Sequence, residues 1–154
     1  MLLTTVSSCS SEPSIDNTQV VEEPTDGFNR DSQDEKIESS IQNSYARLAS
    51  KRSDICPKLI QKEVDTQVVE RNSEVMVNSY CDYFLYPTEG QDISVSVNDR
   101  RIEALLIIPT IYDFANGDYA VESYDKHVIR LSYDGATYKP ANLVYDVVVT
   151  VSEN

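Results

Sequence analysis

The sequence has no tryptophan, only one histidine (His127), four glycines and three cysteines among its 154 residues. So few glycines exclude a glycine-rich loop that cradles phosphate, and one histidine leaves little of the acid–base and metal chemistry that relies on imidazole. No window approaches the roughly 18 to 20 apolar residues that span a bilayer. The composition therefore predicts no cofactor and no metal, and it argues against an enzyme.

Basic residues are scarce as well. Thirteen lysines and arginines stand against 26 acidic residues, which gives a formal net charge of −13. Nucleic-acid binding needs a concentration of positive side chains that pairs with phosphates, and none is present. We therefore expect no nucleic-acid partner, and such acidity suits a soluble protein or one that meets a basic protein partner.

The N-terminus contains Val6-Ser7-Ser8-Cys9, followed by Ser10. This short stretch resembles the lipobox of bacterial lipoproteins, in which an aliphatic residue and two small residues precede a cysteine. The resemblance covers only about the first ten residues. It implies that residues 1–8 are the remnant of a signal peptide and that Cys9 carries the lipid. Ser10 in place of aspartate implies anchoring at the outer membrane, on its periplasmic or surface face.

Residues 1–8 make a poor signal peptide on their own, because they contain no lysine or arginine and little apolar character. We therefore expect the true start to lie upstream. The alternative is a cytosolic protein whose N-terminus happens to contain Cys9.

Residues 11–35 carry eight acidic residues and one arginine among many Ser, Thr, Asn and Pro. Such a segment cannot bury enough apolar surface to offset the entropy of ordering it. We interpret residues 9–35 as a lipidated cysteine and a disordered acidic tether, which would hold a domain roughly 25 to 30 Å from the membrane. An ordinary acidic tail is the alternative.

Residues 36–51 have apolar side chains at helical spacing, namely Ile37, Ile41, Tyr45 and Leu48. This pattern predicts a short amphipathic helix whose apolar stripe packs on its own domain, with a membrane or a partner as the alternatives. Residues 52–73 suit a second helix or a strand, and we favour a short helix followed by a strand.

From residue 74 onward the pattern is β. Alternation over residues 74–86 predicts a strand with an inward-facing set: Val75, Val77, Ser79, Cys81, Tyr83 and Leu85. Further strands are predicted within residues 93–97, 102–108, 119–124, 128–133 and 143–151. Asn116-Gly117 predicts a hairpin turn between a strand ending near Phe114 and residues 119–124.

About six or seven short strands separated by turns predict a mainly β domain over residues 36–154. We expect an antiparallel β-sandwich, Ig-like or similar, with the amphipathic helix covering an edge or an open face. The alternative is an α+β fold with a single antiparallel sheet.

Cys56 and Cys81 are left over if Cys9 is lipidated. An even remainder in an oxidising compartment predicts a disulfide, which would stabilise the fold by roughly 3 kcal/mol. Two buried free thiols are the alternative. The spacing is unlike that of a CxxC redox or zinc motif.

Two sets of aromatic residues form a predicted partner-binding surface, for which cross-strand packing is the alternative. One set flanks the Asn116-Gly117 turn and consists of Tyr112, Phe114 and Tyr119. The other set shares the less buried face of the strand predicted over residues 74–86 and consists of Tyr80, Phe84 and Tyr86. His127, close to Asp125, is predicted to lie at the surface or in a turn. We interpret the oxygen-rich residues 113–118 as turn chemistry rather than a calcium loop.

Three functions compete at this point. The first is a lipid-anchored module that binds proteins in envelope assembly or adhesion. The second is a periplasmic inhibitor of a basic hydrolase such as lysozyme, favoured by the acidity and the disulfide. The third is a hydrolase built on carboxylates such as Glu103 and Glu122, which would require two of them to converge in a cleft.

Overall fold

The computed structural model describes residues 30–60 and 67–154. Within these residues the chain forms one α-helix and nine strands. Their bounds are α1 Arg30–Ala49, β1 Lys58–Leu59, β2 Val68–Met76, β3 Tyr80–Leu85, β4 Gln91–Val97, β5 Ile102–Ile108, β6 Tyr112–Asp113, β7 Tyr119–Ala120, β8 His127–Tyr133 and β9 Leu143–Glu153. No helix in the described ranges is long and apolar enough to cross a membrane.

The strands form two sheets. The first has the order β1-β3-β8-β5-β6 and the second has the order β2-β9-β4-β7. The pairs are antiparallel except for β1 and β3, which run parallel. The predicted mainly β sandwich with a helix is confirmed, and the single-sheet alternative is wrong.

The core lies between the sheets because the strands alternate apolar and polar residues, and successive side chains point to opposite faces. β9 buries the whole of its predicted face: Leu143, Tyr145, Val147, Val149 and Val151. β3 buries Cys81, Tyr83 and Leu85 from the other sheet, as predicted.

Residues 74–86 differ from the prediction because they form two strands in different sheets. β2 ends at Met76 and β3 begins at Tyr80. Met76 is fully buried and Val77 is 52% exposed, so Val77 does not face inward as expected. The alternation changes phase at this point because the chain crosses from one sheet to the other.

The helix α1 begins at Arg30, earlier than the predicted residue 36, so residues 30–35 are helical rather than part of a disordered tether. The remainder of the predicted tether lies outside the described residues. α1 covers an outer face of the first sheet, where Ala46 packs with Leu59, Phe84 and Val128. Covering an open face was predicted.

The prediction that the apolar stripe of α1 packs on its own domain is wrong. All four members of the stripe are exposed, at 53% for Ile37, 65% for Ile41, 55% for Tyr45 and 66% for Leu48. The buried side of the helix carries Ala46 and Ala49 instead. Their small side chains let the helix backbone approach the sheet closely, and this contact sets the orientation of the helix.

The segment from residue 52 to residue 60 contains no helix, contrary to the prediction. It forms turns and the short strand β1, whose Lys58 and Leu59 pair with Tyr83 and Phe84. The strand expected after it is present as β2, and residues 61–66 lie outside the described residues.

Asn116-Gly117 does not close a hairpin. β6 pairs with β5 in the first sheet, whereas β7 pairs with β4 in the second sheet. Between them, Phe114–Asn116 forms a 3₁₀ turn that ends at Gly117, whose φ is 116°. The turn was located correctly, but it carries the chain from one sheet to the other.

Candidate functional site

Cys56 and Cys81 form the predicted disulfide, with their Cα atoms 5.4 Å apart. The bond ties the segment before β1 to the buried face of β3. Cys9, the predicted lipidation site, lies outside the described residues.

The aromatic residues around the Asn116-Gly117 turn pack on one another. The ring of Tyr112 lies 5.7 Å from that of Phe114 and 5.4 Å from that of Tyr119. Phe114 and Tyr119 are each only 8% exposed. The prediction of an exposed binding patch is therefore wrong for these two residues, and core packing accounts for them.

The second aromatic set does share the outer face of β3, as predicted, but α1 covers part of it. Phe84 is buried beneath the helix, and Tyr86 is half-buried, with its hydroxyl accepting a hydrogen bond from the side-chain amide of Asn43. Tyr80 stays 46% exposed beneath the guanidinium of Arg130, which lies 4.0 Å from the ring centroid. The exposed part of the predicted patch thus reduces to Tyr80.

His127 is fully buried, so the prediction of a surface or turn histidine is wrong. The side chain points into the core because His127 pairs with Leu85 at the start of β8. Its Nδ1 donates to the carbonyl of Asp125 at 2.9 Å, and its Nε2 has no partner in the part of the chain that the structure describes. Burial lowers the pKa of His127, which keeps the ring neutral.

A buried polar cluster lies between the two sheets, and sequence reasoning missed it. Nζ of Lys58 in β1 lies 2.9 Å from Oε2 of Glu74 in β2, and the two side chains are 0% and 3% exposed. Arg71 also pairs with Glu74 at 2.9 Å. Burial lowers the pKa of Lys58, and the carboxylate of Glu74 opposes that change.

The cluster extends to two tyrosines from opposite sheets. The hydroxyls of Tyr83 and Tyr145 lie 2.6 Å apart. Burial raises the pKa of both, that of Tyr145 to about 12. Lys58, Glu74 and the two tyrosine hydroxyls are buried, whereas the Arg71 side chain is 20% exposed. Because these groups join strands of both sheets, the cluster links the sheets.

One end of the sandwich gathers acidic side chains. The pairing of Gln91 with Glu153 and of Asp92 with Ala120 brings β4, β7 and β9 together there. The acidic end, as we define it, consists of Glu89, Asp92, Glu122 and Glu153. No lysine or arginine within residues 30–60 and 67–154 forms an ion pair with any of these four.

The opposite end of the sandwich is different because several of its carboxylates are paired. Asp99 contacts Arg101 at 2.6 Å, and Asp54 contacts Arg52 at 2.8 Å. The guanidinium of Arg101 lowers the pKa of Asp99 to about 2. Other carboxylates of the described residues, such as Glu103 and Asp134, also have no ion-pair partner. The acidic end differs from them because strand pairing brings its four carboxylates together.

A cleft of about 350 Å³ opens at the acidic end, lined by Gln67, Thr88, Glu89, Gly90, Gln91, Glu153 and Asn154. Glu89 and Glu153 both line it, but both are exposed. A carboxyl group that acts as a general acid is typically shielded from water, whereas these two side chains are in contact with solvent. Glu103 lies in β5 of the first sheet, whereas Glu122 follows β7 of the second sheet at the other end of the sandwich, so the two do not converge.

No group of three or more potential metal ligands occurs in the described ranges. Asp113, from the oxygen-rich residues 113–118, instead accepts a hydrogen bond from the backbone N–H of Ala115 and caps the 3₁₀ turn. This role agrees with the interpretation as turn chemistry.

The described residues thus form a β-sandwich with one disulfide and an open cleft at its acidic end. Solved structures that resemble it are PliG proteins, each described as a periplasmic lysozyme inhibitor of g-type lysozyme. The protein from Salmonella Typhimurium is 18% identical, with a TM-score of 0.47, over 56% of this chain and 92% of that one.

The Escherichia coli PliG mutant is 14% identical, with a TM-score of 0.48, over 64% of this chain and 96% of its own. The Aeromonas hydrophila protein is 13% identical, also with a TM-score of 0.48, over 64% of this chain and 99% of its own. No family model matches the chain, and no curated protein matches it in sequence.

Proposed function

We propose that this chain is a protein-binding domain of the bacterial cell envelope that binds a basic protein at its acidic end, and that the partner is a basic hydrolase such as lysozyme. The observation that carries the proposal is the grouping of four carboxylates at the acidic end, Glu89, Asp92, Glu122 and Glu153, none of which has an ion-pair partner among the described residues. Glu89 and Glu153 line the open cleft. A lysine or arginine of a partner would supply the missing positive charge.

Electrostatics sets the expected strength of such binding. A solvent-exposed ion pair contributes about 0.2 to 1 kcal/mol, so four of them change an affinity by about fourfold to a thousandfold. Glu89, Glu122 and Glu153 are exposed and Asp92 is half-buried, so salt screens their charges over about 10 Å at 0.1 M. The proposal therefore requires binding that weakens steeply with salt, mainly through slower association.

The disulfide supports the location of this function. Disulfides persist in oxidising compartments such as the periplasm, and Cys56 and Cys81 are paired. Lipid anchoring at Cys9 belongs to the same proposal and remains a prediction. Mass spectrometry of the mature protein, expressed with its upstream sequence, would find diacylglyceryl-modified Cys9, whereas an intact unmodified N-terminus would contradict it.

Biolayer interferometry on the full chain tests the binding proposal. The probes are c-type and g-type lysozymes together with an acidic protein of similar size as the negative control. The g-type enzyme is included because the PliG structures are described as inhibitors of that class. We expect binding to at least one lysozyme, at least tenfold weaker when the salt is raised from about 50 to 500 mM.

Two charge reversals give matched variants. Glu89→Lys lies at the acidic end, and Asp134→Lys lies at the opposite end with an equally exposed side chain. Glu89→Lys is expected to weaken binding about tenfold, whereas Asp134→Lys leaves it within about twofold. Equal effects of the two reversals, or no salt-dependent binding to any basic protein, would overturn the proposal.

If the bound lysozyme loses enzymatic activity, the chain is an inhibitor of that lysozyme as well as a protein that binds it. The turbidity of a bacterial cell suspension, followed with and without the chain, measures it directly. Binding without inhibition would support the envelope-binding module and contradict the inhibitor.

A further inference from the structure

The helix α1 carries its large apolar side chains on the side that faces away from the sandwich. We name Ile37, Ile41, Tyr45 and Leu48 the α1 stripe. Intervals of four, four and three residues keep these side chains on one side of a helix. All four are more than half exposed, whereas Ala46 and Ala49 on the other side are 0% and 4% exposed.

Single exposed apolar residues are ordinary on a protein surface, but a continuous row of them is not. The α1 stripe extends over about 16 Å at 1.5 Å per residue, and its spacing is that of a helix that packs against another helix. The contact of Ala46 with Leu59, Phe84 and Val128 holds the opposite side of α1 on the sheet. The stripe is therefore presented outward on a fixed support.

We infer that the α1 stripe packs, antiparallel, against the α1 stripe of a second copy of this chain. The charge along the helix selects this occupant. The first ten residues of α1 carry four acidic residues and two basic ones, Arg30 and Lys36, and so have a net negative charge. The last turn carries Arg47, and Lys51 follows the helix. Antiparallel packing places the acidic half of each helix beside the basic half of the other.

The residue spacing fits a two-fold axis at the height of Gln42 and Asn43. In that arrangement Ile37 lies opposite Leu48 of the second copy, and Asp34 lies opposite its Lys51. Each contact is then made twice, as an isologous dimer requires. Antiparallel helices also oppose their dipoles favourably.

The contact is small for a dimer. About a dozen residues of helix on each side fall below the area of a standard stable interface, so we expect reversible association rather than a permanent dimer. The stripe faces away from the sheet, and this inference does not depend on the proposed hydrolase binding.

Sedimentation equilibrium of the full chain between about 5 and 500 µM tests the inference. The apparent mass is expected to rise from 17.4 kDa towards twice that value. Ile41→Glu with Leu48→Glu is expected to weaken association at least tenfold. The control variant is Ile111→Glu, because Ile111 is an apolar residue outside α1 and is 79% exposed. This variant is expected to associate as strongly as the parent chain.

Reversal of the charges tests the antiparallel register. Asp34→Lys alone is expected to weaken association, and adding Lys51→Asp is expected to restore it. Failure of the double change to restore association would overturn the antiparallel register.

Three other results would overturn the inference. They are a chain that stays monomeric throughout the range, an Ile111→Glu variant as weak as the stripe variant, and a monomeric chain whose stripe instead binds phosphatidylcholine vesicles. Circular dichroism on every variant separates these outcomes from unfolding.

Discussion

The ion pair between Lys58 and Glu74 provides the sharpest test of how this fold is held together. It joins β1 of one sheet to β2 of the other, with the two side chains 0% and 3% exposed and the charged atoms 2.9 Å apart. Glu74→Gln replaces the carboxylate by a neutral group of nearly the same shape. Lys58 then keeps its hydrogen bond to the carbonyl of Arg52 but loses the opposing charge.

Breaking a buried ion pair from one side costs about 3 to 5 kcal/mol, because the remaining charge stays buried without compensation. That is a large part of the roughly 5 to 15 kcal/mol that stabilises a domain. Lys58→Met should cost less, about 1 to 3 kcal/mol, because Arg71 still pairs with Glu74 at 2.9 Å. The double variant should cost less than the sum of the two by about 1 to 3 kcal/mol.

Urea unfolding at pH 7, followed by circular dichroism on the oxidised chain, measures these free energies. Asp54→Asn is the control, since it breaks an ion pair whose side chains are 62% and 41% exposed and should cost much less than Glu74→Gln. If Glu74→Gln costs no more than Asp54→Asn, or if the double variant is strictly additive, the pair does not contribute as we infer.

Three further predictions concern stability. Replacing Cys56 and Cys81 by serine should lower the free energy of unfolding by about 3 kcal/mol, measured by urea titration of the variant beside the oxidised parent chain. Burial lowers the pKa of His127, so below pH 6.5 the histidine is protonated more fully in the unfolded chain than in the folded chain. Stability should therefore fall from pH 6.5 to 5.5 by at most about 1.4 kcal/mol, and thermal melts of His127→Leu should lack this component of the slope. Gly117→Ala places a side chain at a φ of 116° and should lower stability by more than about 1 kcal/mol, whereas Ala115→Gly in the same turn should have a smaller effect.

Strand patterns could be predicted from the sequence wherever a strand has one face in the core. β9 is the clearest case, because every second residue from Leu143 to Val151 is apolar and all of these residues are buried. The disulfide could also be predicted, since two cysteines remained after Cys9 was set apart. Both inferences need only local alternation or a count.

The orientation of α1 could not be predicted in the same way. Amphipathicity shows which residues are apolar, but it does not show which side of the helix meets the sheet. The side with Ala46 and Ala49 fits closely against the Leu59 and Phe84 surface, and this contact leaves the larger side chains outside. The fit of the helix against residues of β1 and β3 sets the orientation of α1. The spacing of Ile37, Ile41, Tyr45 and Leu48 gives no information about that fit.

Contacts between residues far apart in the sequence also determine the course of the chain at Asn116-Gly117 and the ion pair of Lys58. Asn116-Gly117 suits a hairpin and a sheet-to-sheet crossing equally well, and the partners of β6 and β7 decide between them. Lys58 precedes Leu59 and Ile60, which was a weak local signal that the lysine lies at a buried position. Its partner Glu74 lies sixteen positions later in the sequence and belongs to the other sheet. No local sequence pattern therefore predicts that Lys58 and Glu74 form an ion pair.

The two proposed surfaces can be tested separately because they are built from different elements. The acidic end comes from loops and strand ends that are scattered between Glu89 and Glu153, whereas the α1 stripe belongs to one helix. The side of α1 next to the sandwich is occupied, since Lys126 donates to Gln42 at 3.3 Å and Asn43 donates to Tyr86. Glu89→Lys should therefore leave the apparent mass unchanged, and Ile41→Glu with Leu48→Glu should leave hydrolase affinity unchanged. If either variant altered both properties, the helix and the acidic end would form one continuous interface, and two copies would bind a single partner together.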